Sequence, residues 1–145
     1  MAESDSVAFA PDQIDVFARG LYWLAGVDGI DDSEVDVIGE FLAETGSEWT
    51  IERIQASDFD PRELPAFLDT SFLRRLFLKA AVALIAADGK ITERESAALH
   101  RVARLLGLSD LSYRGLEEEA RKLSVVKAGA DDEKKKPAGK KAGGR

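Results

Sequence analysis

The sequence predicts an all-α fold, a single helical domain containing two pseudo-symmetric helical hairpins. Three observations predict it. Apolar residues recur at three- and four-residue steps nearly throughout, as one buried helical face requires. No segment alternates with period two over a useful length, so no sheet is expected. One helix–turn–helix pattern also occurs twice, sixty positions apart. The 145 residues suffice for one domain rather than two.

Residues 1–10 are expected to be loose, and 11–126 to form the domain. Pro11 and Asp12 suit a first helical turn, where a missing N–H costs nothing and a carboxylate meets the positive end of the helix dipole. Ile14, Phe17, Leu21 and Leu24 form the first stripe. A second helix starts after Asp31, carries Val35, Ile38, Phe41 and Leu42, and stops at Gly46, a residue that tolerates the left-handed conformation. The pair reads as a hairpin. A short amphipathic segment follows around Ile51 and Ile54. Asp60-Pro61 then reads as an N-cap and first helical position, opening a brief helix through Leu64, Phe67 and Leu68.

The longest helix is expected to run from Thr70 or Ser71 to Asp88-Gly89, burying Leu73, Leu76, Phe77, Ala80, Leu84 and Ile85, with Arg74, Arg75 and Lys79 outside. A further helix, capped at Thr92, buries Leu99, Val102, Ala103 and Leu106 before Gly107 ends it. The last starts at Ser109 or Asp110 and carries Leu111, Leu116 and Leu123. No large apolar residue follows Val126, so residues 127–145, rich in Lys, Gly and Ala, are expected to be a disordered, solubilising tail.

Composition removes several classes of function. With no cysteine there is no disulfide framework, thiolate zinc site or catalytic thiol, and one histidine gives little to a triad or a His-rich metal cluster. No apolar run approaches the roughly 20 residues that cross a bilayer, and Met1 leads into acidic sequence instead of a signal peptide. A cytoplasmic location and no transmembrane segment are therefore expected. Residues 131–145 hold six basic and three acidic groups, or +3, which leaves −10 on the rest of a chain of net charge −7. So acidic a body repels a phosphate backbone, and no specific nucleic-acid partner is expected; cations or basic proteins suit it better.

The repeat carries the one functional signal. Phe17 to Gly29, FARGLYWLAGVDG, matches Phe77 to Gly89, FLKAAVALIAADG, at both ends and in apolar pattern. Each Asp-Gly is followed by an Ile, an N-cap and a Glu three residues on: Asp31 to Glu34 in copy one, Thr92 to Glu95 in copy two, with Lys90 inserted in the latter. Ile38 then aligns with Leu99, Phe41 with Val102, and Gly46 with Gly107. Two equivalent hairpins about a pseudo-twofold are expected.

Both Glu residues are explained by capping boxes, in which the N-cap side chain accepts from the N3 amide and the Glu reaches back to the N-cap amide. Gly29 and Gly89 are explained by a turn that needs positive φ. Asp28 and Asp88 stand in phase with their own apolar stripes, where each carboxylate points to its hairpin partner. Each also meets the negative end of a helix dipole, at a cost of roughly 0.3–1 kcal/mol. Hydrogen bonds from turn amides would compensate, as would a cation shared with the capping Glu. A true EF-hand is excluded, because the two leading ligand positions before Asp88 would be Leu84 and Ala86.

The strong copy Ala86-Ala87-Asp88-Gly89-Lys90-Ile91 with Glu95, and the weaker copy Gly26-Val27-Asp28-Gly29-Ile30 with Glu34, resemble the TerB-like family of tellurite-resistance proteins. The resemblance spans roughly Asp12 to Leu123. It implies an all-α domain of about seven helices with internal pseudo-symmetry, a role in a chemical-stress response, and acidic residues that chelate metal near the membrane or within multiprotein assemblies. By motif position it marks Asp28, Glu34, Asp88 and Glu95 as ligands of a divalent cation, Ca or Mg. Copy one departs from the pattern by its shorter turn.

Other candidates receive plain structural readings. His100 lies at or beside a buried face, and Glu117, Glu118 and Glu119 pair with Arg121 and Lys122 along a solvated one. Tyr22, Trp23, Trp49 and Phe72 are read as packing residues, with Trp49 the most open to a partner. There is no nucleophile elbow, phosphate loop or HExxH motif, so no enzyme is expected. Two functions are compatible with these residues: a weak divalent-cation module in a stress response, and a metal-free acidic adaptor that docks a basic or membrane-associated protein.

Overall fold

A computed structural model describes residues 9–88 and 90–135, with Asp88 and 123–135 described by backbone alone. Among the described residues seven α-helices follow one another: α1 Pro11–Ala25, α2 Asp32–Thr45, α3 Ile51–Ala56, α4 Glu63–Phe67, α5 Ser71–Ile85, α6 Glu93–Leu105 and α7 Asp110–Lys135. No strand occurs among the described residues. Nor is any helix there long and apolar enough to cross a membrane.

Both hairpins have the same local plan. α1 and α5 each run fifteen residues and tighten into one 3-10 turn, Gly26–Asp28 and Ala86–Asp88, before a capped second helix. Gly29, Gly46 and Gly107 take φ of 92°, 75° and 84°, as turn and helix-end glycines should. Gly89 lies outside the described residues.

The repeats meet at their first shared residue. Phe17 and Phe77 stand edge to face with ring centroids 5.2 Å apart, and both are buried. Phe17 also stacks on Phe41 at 5.4 Å and receives Phe9 at 5.3 Å. Phe9 is therefore docked on the core, ahead of the expected start of order; residues 1–8 lie outside the described set. Beside this cluster Gly20 brings α1 close to α4 and α5, since a Cβ there would come within 2.9 Å of Leu64 and of the Phe77 ring.

The two hairpins are placed unequally around this contact. The 3-10 turn of the first lies against α6, whereas that of the second lies against α7. α5 consequently has neighbours on two sides, α1 and α7, and its buried face is wider and rotated from the expected one. Leu78, Ala81 and Val82 are enclosed with Leu73, Phe77 and Ile85, while Leu76, Ala80 and Leu84 are only half-buried.

Four further expectations are corrected. α4 begins at Glu63, two residues after Pro61, because Asp60 turns back on Arg62: its carboxylate accepts from the Arg62 amide at 2.9 Å and from the guanidinium at 2.7 Å. Leu111 is 79% exposed on α7, where Tyr113, Leu116 and Ala120 form the buried stripe; the Leu123 side chain lies outside the described residues. Phe72, expected to pack, is 56% exposed. α7, not α5, is the longest helix among the described residues, its backbone running to Lys135. Lys, Ala and Glu favour propagation of a helix that is already nucleated, even without apolar residues to bury. Residues 136–145 lie outside the description.

Candidate functional site

The N-terminus of α2 is closed by a reciprocal pair. Asp31 Oδ1 accepts from the Glu34 amide at 2.8 Å and from the Ser33 hydroxyl at 2.8 Å, while Glu34 Oε1 accepts from the Asp31 amide at 3.0 Å. These two donors, the Glu34 amide first, hold the Asp31 carboxyl below its ordinary value of 3.8. α6 repeats the arrangement with a hydroxyl in place of the carboxylate: Thr92 Oγ1 accepts from the Glu95 amide at 3.1 Å, and Glu95 Oε1 from the Thr92 amide at 3.0 Å. Glu34 and Glu95 are each only 8% exposed. A buried carboxylate is tolerable there because it accepts a charge-assisted hydrogen bond and sits at the positive end of a helix dipole.

Asp28 ends the 3-10 turn after α1, where the dipole disfavours a negative charge. Arg94 lies in the first turn of α6, where the dipole disfavours a positive one. The structure puts them together: Arg94 Nη1 lies 3.9 Å from Asp28 Oδ1. Each charge is misplaced on its own helix, and each supplies what the other lacks. Asp28 thus faces the second hairpin, whereas the stripe phase pointed it at the partner helix of its own hairpin. The pair is loose, since the Asp28 and Arg94 side chains are 34% and 76% exposed.

The 3-10 turn carrying Asp28 therefore adjoins the start of α6, the helix that holds Glu95. Among the described residues no three His, Asp or Glu side chains are grouped so as to hold a metal ion. The Asp88 side chain lies outside that set, and its backbone closes the second 3-10 turn.

The secondary candidates fall into place as packing groups. His100 Nδ1 lies 2.9 Å from the Ser96 carbonyl oxygen, and the ring meets Tyr113 at 4.7 Å. Glu117 pairs with Arg121 at 3.5 Å along α7, and Glu119 reaches Lys79 of α5 at 3.1 Å. Tyr22 accepts a hydrogen bond from Gln55 at 3.0 Å, and Trp23 lies against Phe59. Trp49 is half-buried under two guanidiniums, Arg53 at 4.0 Å and Arg19 at 4.7 Å from the ring centre.

Two arginines, Arg19 and Arg74, hold elements together through contacts distant in sequence. Arg19 reaches Glu63 at 3.0 Å and the Asp58 carbonyl at 3.2 Å, and joins the first hairpin to the α3–α4 segment. Arg74, expected on an outer face, is half-buried, with its guanidinium donating to the carbonyls of Leu68, Pro65 and Leu106 at 2.6, 3.1 and 3.2 Å. The one sequence clue to the first cluster was the four-residue spacing of Trp49 and Arg53. Nothing local marks Arg74.

Comparison with protein-family models, with curated proteins and with solved structures finds no match to this chain.

Proposed function

We propose that this chain is a non-enzymatic TerB-like module of a stress-response system of the tellurite-resistance type, and that it acts by docking a basic or membrane-associated protein. The observation that carries this reading is the engagement of the acidic motif residues within the fold. Glu34 and Glu95 each accept from an N-cap amide, and Asp28 is faced by Arg94. These contacts shape turns and caps and leave the strongly negative body to act through its surface.

A second reading keeps a weak divalent-cation site, Ca or Mg, at the two Asp-Gly turns, with Asp28, Glu34, Asp88 and Glu95 supplying oxygens. The looseness of the Asp28–Arg94 pair favours it, because a doubly charged ion would displace a guanidinium held at 3.9 Å. Thermal denaturation with and without millimolar Ca²⁺ or Mg²⁺ separates the two. The adaptor reading expects a Tm that follows ionic strength alone. A saturable rise in Tm that Asp88→Asn abolishes would replace it with the cation module.

A further inference from the structure

The N-termini of α5 and α7 open onto one cavity of about 380 Å³, beside the end of α6. Ser71, Arg74, Arg75, Gly107, Ser109 and Ser112 line it. No lining residue is acidic, although the body of the protein carries a large negative charge. The acid next in sequence, Asp110, is held by Arg104 at 3.5 Å.

The two arginines differ in a way that suits a receptor. Arg74 is fixed by three backbone carbonyls, which leave two of its five N–H groups without a partner among the described residues. Those carbonyls belong to α4 and to the C-terminal ends of α4 and α6, so a half-buried cation is stabilised there without a carboxylate. Arg75 is exposed at the rim and forms no ion pair with a described residue. With the two guanidiniums, the hydroxyls of Ser71, Ser109 and Ser112 line the cavity, while the N3 amides of α5 and α7 are taken by Thr70 and Ser109. Ser109 is partly committed, since its hydroxyl accepts from the Ser112 amide at 3.1 Å.

Guanidinium and hydroxyl donors around a space free of carboxylates match a multiply charged oxyanion with acceptors on every side. The geometry points to a binding site for a phosphate group, either free or as the terminal phosphate of a small organic ester. Arg74 fixes its orientation, Arg75 supplies the second charge, and Ser71 and Ser112 complete the contacts. This site is independent of the Asp-Gly turns.

Heteronuclear NMR of the full chain, titrated at constant ionic strength with inorganic phosphate and separately with glycerol 3-phosphate, tests it. Saturable shifts should be confined to the amides of Ser71, Gly107, Ser109 and Ser112. Arg75→Gln should weaken binding at least about tenfold, as loss of one charge-assisted contact implies. Ser112→Ala should also weaken binding, by less than Arg75→Gln because only a neutral donor is lost, while the rest of the spectrum is unchanged. Tighter binding of glycerol 3-phosphate would assign the site to an ester, and equal binding to the free anion; either supports it. Shifts that chloride reproduces, or binding unaltered in both Arg75→Gln and Ser112→Ala, would overturn the proposal.

Discussion

Thr92 and Glu95 each satisfy an amide at the start of α6 that the helix itself cannot reach. Thr92→Ala should therefore cost about 0.5–2 kcal/mol in chemical denaturation, the range for a lost N-cap. Glu95→Gln keeps an acceptor oxygen and should cost less than Glu95→Ala. Asp31 caps with a carboxylate, which makes its contribution depend on pH. Its folded pKa is depressed, so the stabilisation is complete above the ordinary value of 3.8 and is lost as pH falls through the lower folded value. Asp31→Asn should flatten the acid limb of a stability–pH profile, and a carboxyl titration should place the Asp31 midpoint below 3.8. Tyr113 has the opposite problem: its hydroxyl is buried with no hydrogen-bond partner among the described residues, and burial, aided by Glu117, pushes the phenol above its ordinary range. Tyr113→Phe should stabilise by about 1 kcal/mol, since removing an unsatisfied buried hydroxyl removes its desolvation cost. A loss of stability on denaturation would mean that the hydroxyl has a partner after all.

Between elements, Gly20 of α1 leaves no room for a side chain, since a Cβ there would meet Leu64 of α4 and Phe77 of α5 at 2.9 Å. Gly20→Ala improves helix propensity yet overpacks this contact, and the second effect should prevail by about 1–3 kcal/mol in equilibrium unfolding. The caps, the Asp-Gly turns and the glycine stops were legible in the sequence because their partners lie within three or four residues. Gln13 reaching back to the Ala10 amide at 2.9 Å, in a box whose N-cap is an alanine, shows how much of that grammar is local. The buried face of α5 was not legible. A stripe rule assumes burial from one side, whereas α5 is enclosed by α1 and by α7. The role of Arg74 and the exposure of Phe72 and Leu111 depend in the same way on distant neighbours. Of the candidate site, the two capping boxes were readable and the Asp28–Arg94 pair was not, because it joins residues sixty-six positions apart across the repeats.

At the scale of the molecule, duplication supplies matching hairpins and asymmetric docking separates their roles. Phe17 and Phe77 meet as repeat equivalents. Asp28, by contrast, meets the arginine of the second capping box, and the second 3-10 turn is directed to α7. That pair is exposed, so Arg94→Gln should change stability by no more than about 1 kcal/mol. Its larger consequence is electrostatic, because it places a protein cation beside a carboxylate that the helix dipole disfavours. Asp28, Glu34 and Glu95 each find a partner within the protein. The most direct test is heteronuclear NMR of the full chain during titration with Ca²⁺ and Mg²⁺, following the amides of Asp28, Gly29, Asp88 and Glu95. Internal satisfaction predicts only small, non-saturating shifts that sodium chloride reproduces. Saturable shifts confined to those amides and lost in Asp88→Asn would contradict it.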